Sequence, residues 1–261
     1  MTDARAVARL LGSRITVDNT DFTAMIDERD ARFVYIPLAR EITEEATSAP
    51  SSRFIVGLAG PPGAGKSVTA AVLAHAIEII EPRLNVRVVP LDGFHLSNWE
   101  LERRTTELAD GSRVSLRSIK GHQRTFDVER VVEAVQQLRN GDIVSLPVYS
   151  RVTHDPIENA LRIDEQCRVV IVEGNYLYLK EGLWNELHTL FDMKVFVIAC
   201  DKVLHRNLFE RHIRGGRIPA EATEQILTVD APNIETVRST ADVADIVISG
   251  ERGTLVVETL G

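Results

Sequence analysis

At 261 residues, with 44% hydrophobic and 26% charged residues, the chain has the length of one large α/β domain, or of a domain with a small appendage. A net charge of −8 argues against a nucleic-acid-binding surface, and no apolar stretch approaches the length of a membrane span. The polar, acidic N-terminus does not read as a signal peptide, so the expected compartment is the cytoplasm. Cys167 and Cys200 lie far apart beside apolar runs and are expected as buried thiols, not as a disulfide or a metal pair.

Residues 1–50 alternate short helical and extended signals and carry no assignable chemistry. They are expected to pack as an N-terminal extension on the core, joined to it through the small, polar run from Thr47 to Ser52. From 51 to 261 strand and helix alternate, which predicts a mostly parallel sheet with helices on both faces. Phe54–Ala59 (FIVGLA) is an apolar run suited to a buried parallel strand. Gly60 to Ser67 reads GPPGAGKS, a complete G-x-x-x-x-G-K-[ST] loop, and Val68 to Ile80 reads as the helix behind it.

Strand, glycine-rich turn and helix N-terminus together aim backbone N–H groups and a helix dipole at one anion. Gly60, Gly63 and Gly65 let the backbone approach phosphate oxygens, with Ala64 and Val68 completing the cradle. Lys66 is expected on the β- and γ-phosphates and Ser67 on Mg²⁺. The chain is therefore expected to bind a nucleoside triphosphate.

Asn85–Leu91 predicts a strand ending at Asp92, which opens the run DGFH. A carboxylate at that carboxyl end suits the proton acceptor for a hydroxyl attacking the γ-phosphate. Asp127 caps a predicted helix (VERVVEAVQQLR) closed by Asn140-Gly141. Ile143–Val148 predicts a further short strand, and His154 falls at a loop edge where it suits a substrate contact. Arg168–Val172 predicts a strand ending at Glu173, a carboxylate expected to face Mg²⁺. Met193–Ala199 and Ala244–Ile248 predict the remaining strands. Between them about Lys202 to Ile213 predicts a helix carrying Arg206 and Arg211, with Arg214 at its end and Arg217 past Gly215-Gly216. Arginines on a glycine-hinged segment, about 202–220, suit a lid over the triphosphate, with Arg206 and Arg211 as its catalytic cations. The spacing of His95, His122 and His154 matches no zinc pattern.

The motifs GPPGAGKS, DGFH, KGHQRTFD (Lys120–Asp127), LPVYSR (Leu146–Arg151), VEGNYL (Val172–Leu177) and DAPN (Asp230–Asn233) occur in this order. Their order resembles that of the phosphoribulokinase/uridine kinase family of P-loop small-molecule kinases, which includes pantothenate kinase and fructokinase-like proteins. The resemblance covers residues 53 to about 250. It implies a P-loop NTPase fold with a five-stranded parallel core, and transfer of the ATP γ-phosphate to a hydroxyl. It further implies Asp92 as general base, Glu173 at the magnesium, a lid from Arg206 to Arg217, and Pro147–Tyr149 and His154 at the acceptor. His95, Arg151 and Asn175 lie in or beside the same motifs and join Tyr149 as candidate substrate contacts. The chain departs from the family pattern at Gln123, where proline is usual, and at Val229, where asparagine is usual.

The expected cofactors are thus ATP and Mg²⁺, and the expected partner is a small hydroxylated metabolite, with a sugar or polyol ahead of a nucleoside or pantothenate. The oligomeric state stays open, a homodimer included. The competing reading is a regulatory NTPase or switch acting on a protein partner. A GTPase switch would want an N-K-x-D guanine reader, which the chain lacks, and a motor-type ATPase would want paired acidic residues where Glu173 precedes Gly174.

Overall fold

The computed structural model describes residues 2–17, 24, 26–107 and 111–251, with the backbone of 258 and 259. The rest of the tail expected to belong to the 51–261 unit, 252–257 and 260–261, lies outside the described residues. The N-terminal segment is more helical than its mixed signals predict. It forms α1 (Asp3–Leu11), then α2 (Glu28–Asp30), which runs through a π turn (Ala31–Tyr35) into α3 (Ile36–Ser48). Ala6, Val7 and Leu10 of α1, and Leu38, Ala39, Ile42 and Ala46 of α3, repeat at helical spacing and are buried. Their inward face is covered by the helix behind the glycine-rich loop.

The core opens with β1 (Phe54–Ala59) and that helix, α4 (Lys66–Ile80). There follow β2 (Val86–Pro90), α5 (Asn98–Arg103), the short antiparallel pair β3 (Thr105–Glu107) and β4 (Arg113–Ser115), and α6 (Val128–Asn140). Next come β5 (Val144–Ser150), β6 (Asp155–Ile163), β7 (Val169–Gly174), α7 (Gly182–Leu187) and β8 (Met193–Ile198). The chain continues through α8 (Asp201–Arg214), α9 (Pro219–Gln225) and α10 (Ala231–Arg238) to β9 (Ile246–Ser249) and β10 (Glu258–Thr259).

The sheet order is β10-β9-β8-β1-β7-β2, with all neighbours parallel except the antiparallel edge strand β10. The five-stranded parallel core is as expected. Every residue of β1 and β7 is buried, as required of central strands covered on both faces. Asp127 caps α6 by accepting from the Arg130 N–H at 3.2 Å, and Gly141 closes it with φ 87°.

Two expectations change. The strand predicted at Ile143–Val148 is present as β5 but stands outside the parallel sheet, paired antiparallel with β6 as a half-exposed hairpin. Pro147 lacks the N–H that a central strand must donate, and the register slips between Leu146 and Val148. Cys167 is buried, and burial pushes its thiol up to about 11, whereas Cys200 is exposed where β8 has ended and α8 begins. Both thiols are free.

Arg53 is fully buried just before β1 and donates to the carbonyls of Cys167 (3.1 Å), Leu138 (3.1 Å), Asp142 (2.7 Å) and Asp164 (2.7 Å). It thereby ties the ends of α6 and β6 to the start of the sheet. Arg53→Ala strands these acceptors without donors and is expected to cost about 3 kcal/mol or more. Urea unfolding checks this, and a loss below about 1 kcal/mol would show that water replaces the guanidinium.

Candidate active site

The carboxyl ends of β1, β2 and β7 meet at a cleft of about 1160 Å³. Gly63 and Gly65 turn the loop with φ of 85° and 92°, a region L side chains rarely adopt, and Gly65 is the N-cap of α4. Gly250 supports the loop from beneath. A Cβ there would lie 1.8 Å from the Ala64 carbonyl oxygen, so only glycine lets the end of β9 pass this close. Gly63, Gly65, Lys66, Ser67 and Val68 line the cleft, while Gly60 rests on Val197 and Ala64 is buried.

Lys66, the first residue of α4, is buried, and its ammonium donates to the Pro61 carbonyl at 3.0 Å. Burial pulls it down to about 8, the Glu173 and Asp92 carboxylates pull it back up, and Arg211 adds to the fall. Two carboxylates and an arginine thus act on the amine that faces the anion site. Ser67 Oγ–H donates to Glu173 Oε1 at 2.9 Å, and Glu173 is 6% exposed at the end of β7. A hydroxyl and a buried carboxylate side by side form a hard-oxygen pair beside the loop, a donor set that fits Mg²⁺. Among the described residues no group of three or more His, Cys, Asp or Glu side chains is placed to hold a metal. Water and phosphate oxygens would complete a shell there, as Mg²⁺ prefers.

Asp92 lies across the cleft at the end of β2, in the turn Leu91–Phe94. That turn packs on β5, and a Cβ on Gly93 would lie 2.3 Å from the Pro147 carbonyl oxygen. The DGFH and LPVYSR segments are therefore in contact through backbone. His95 Nδ1 lies 2.9 Å from the Asp92 carbonyl oxygen, an acceptor, so Nδ1 carries the proton. Its ring sits 3.9 Å from Phe126 and 5.3 Å from Tyr149, centroid to centroid. Burial lowers the His95 pKa while Asp92 opposes the shift. Burial pushes the Tyr149 phenol up to about 12, with Asp92 adding to the rise.

Lys120, of the KGHQRTFD run, places its ammonium 5.1 Å over the Tyr149 ring and donates to the His154 carbonyl at 2.7 Å. Burial, then Arg117, pulls its ammonium down to about 8. His154 sits in the β5–β6 turn with φ 52° and lines the cleft with Arg151 and Asn175.

On α8 the cleft is faced by Asn207, Arg211 and Arg214, with Arg217 beyond the helix. Spacings of four and three place the first three on one helical face. Arg206 is one residue, about 100°, off that face; among the described residues it does not line the cleft, and its guanidinium reaches the Asn207 side chain at 3.3 Å. Asn207, not singled out by sequence, donates to the Gly63 carbonyl at 2.8 Å and fastens α8 to the loop. His212 also lines the cleft, and Arg217 donates to its Nδ1 at 3.0 Å. His212 Nε2–H is left to donate to Asp230 Oδ2 at 2.7 Å, and Asp230 also lies 3.5 Å from Arg211. The DAPN aspartate thus joins the arginine-bearing segment to α10.

The sequence model of the phosphoribulokinase/uridine kinase family matches residues 55–256, most of the chain. The chain belongs to that family. It is accordingly a P-loop kinase of small molecules, and its family implies the use of ATP. The protein YggC of Escherichia coli (strain K12) is 31% identical over 90% of this chain and 93% of its own length. The pantothenate kinase of Ligilactobacillus salivarius (strain UCC118) is 30% identical over 60% of this chain, which spans about half (49%) of that relative. Among solved structures, a "putative fructose transport system kinase" from Silicibacter sp. TM1040 superposes with a TM-score of 0.70 at 29% identity. It covers 80% of this chain and 95% of that one. Among the described residues no helix is long and apolar enough to cross a membrane.

Proposed function

We propose that this family member transfers the γ-phosphate of ATP to a hydroxyl of a sugar or sugar-like polyol. The observation that carries this reading is the meeting of the Lys66 loop, the Ser67–Glu173 pair and Asp92 around one cleft. The fructose-system kinase named above supports the sugar class, with nucleosides and pantothenate next. On this reading ATP and Mg²⁺ are the cofactors, and the reaction is cytoplasmic. A regulatory NTPase is not favoured, because the family is one of small-molecule kinases.

Lys66 and the loop N–H groups bind the β- and γ-phosphates, and Arg211 neutralises charge as the phosphoryl group moves. Ser67 and Glu173 hold Mg²⁺, which when bound shields the phosphate charge. Asp92 accepts the proton of the attacking hydroxyl, and His95, Tyr149, Arg151, His154 and Asn175 orient the acceptor. Arg206 is assigned no part in this step, since among the described residues it does not line the cleft.

An ADP-release screen with Mg·ATP against sugars, polyols, nucleosides and pantothenate tests the reading. One acceptor raising turnover well above background supports it, and hydrolysis that no acceptor stimulates opposes it. Glu173→Gln is expected to raise the Mg²⁺ concentration for half-maximal activity by about 10-fold or more, because the charge on the metal side of Ser67 is lost. An unchanged Mg²⁺ titration would remove Glu173 from that role.

A further inference from the structure

A second chamber, of about 410 Å³, opens beside the catalytic cleft and shares Ser67, Asp92, Tyr149 and Arg151 with it. It lies on the acceptor side, because Asp92 and Tyr149 form the boundary and the lid arginines of α8 take no part in its wall. Its volume is that of a small-molecule pocket. Its far wall does not come from the kinase core. Arg14, Ile15 and Thr16 of the N-terminal segment close it against Ala74, His75 and Glu78 of α4.

Those N-terminal residues are held in place. Leu10 is buried ahead of them, Ser13 Oγ lies 2.8 Å from His75 Nε2, and the Ile15 carbonyl accepts from the Ala24 N–H at 3.0 Å. Ile15 and Val17 are buried in the core while Arg14 and Thr16 are exposed, the alternation of an extended chain. Arg14 makes no ion pair among the described residues. A guanidinium has only donors, so a ligand group meeting it must accept hydrogen bonds. Ile15, Ala71, Ala74 and Val88 make the stretch between that end and Asp92 largely apolar.

We propose that Arg14–Thr16 form the distal wall of the acceptor pocket and select the acceptor. Its hydroxyl meets Asp92, its middle lies along the apolar stretch, and a hydrogen-bond-accepting group at its far end meets Arg14. The inference rests on the kinase reading above and gives residues 1–50 a second duty besides covering α4. It favours acceptors longer than a three-carbon polyol.

The test compares wild type with Arg14→Ala and Ala74→Leu on one acceptor panel: glycerol, D-ribose, D-fructose, D-gluconate, uridine and pantothenate. Arg14 is exposed and Ala74 faces the chamber, so both variants are expected to fold, and the KM for ATP reports this directly. Arg14→Ala is expected to raise the KM of the preferred acceptor about 10-fold, as for a lost charged hydrogen bond, with kcat and the KM for ATP within about twofold. Ala74→Leu is expected to shift the acceptor ranking toward the shortest compounds. Wild-type acceptor KM and ranking in both variants overturn the inference and leave the kinase reading intact. A wild-type protein that phosphorylates none of the panel counts against both.

Discussion

Asp92→Asn is expected to lower kcat by about 10³-fold while ATP binds as before, since general-base catalysis contributes ~10²–10⁴-fold. The amide fills the same space at the end of β2, so the turn Leu91–Phe94 and its contact with β5 stay in place. What disappears is the proton acceptor and a negative charge that favours the Lys66 ammonium. The two losses separate by measurement. Equilibrium ATP binding reports the change at Lys66, and single-turnover transfer to acceptor reports the missing base. A variant with full kcat would take Asp92 out of the base role and shift attention to His95, which stands beside it on the Asp92 carbonyl.

Lys66→Ala is the second large effect. It removes the one buried cation of the loop and the hydrogen bond to the Pro61 carbonyl at 3.0 Å. Both ground-state affinity and transition-state charge stabilisation depend on that ammonium. The kcat/KM for ATP is therefore expected to fall by ~10³-fold or more, with weaker ATP binding by calorimetry. The loop backbone remains, because Gly63, Gly65 and the seat on Gly250 are untouched, and the melting temperature should move little. Unchanged ATP affinity would mean that nucleotide binds elsewhere.

The parts of the site that local sequence can carry were legible. A strand, a glycine-rich turn and a helix are consecutive in the chain, so the phosphate loop is written in one stretch. Asp92 and Glu173 could be placed at one end of the sheet because each follows an apolar strand, and both line the cleft. Parts that depend on contact between distant segments were not legible. Gly250 looks like any turn glycine until β9 is placed under Ala64. Asn207 gains meaning only when α8 lies against Gly63, and which arginines of α8 line the cleft depends on helix phase, which packing sets. The β5–β6 hairpin was half seen. Pro147 bars β5 from the parallel sheet, but β6 alternates weakly and is mostly exposed, so its periodicity gave little signal. Arg14 was invisible for the same reason: nothing in residues 1–17 points to a cleft formed by residues 67–161.

The most direct test of the central claim is the fate of the γ-phosphate itself. The protein would be incubated with Mg²⁺, [γ-³²P]ATP and the acceptor panel, and the labelled products separated. Label in an organic phosphate ester, absent in the Asp92→Asn protein, is the predicted result. Label confined to inorganic phosphate, whatever acceptor is present, would contradict phosphoryl transfer to a small-molecule hydroxyl.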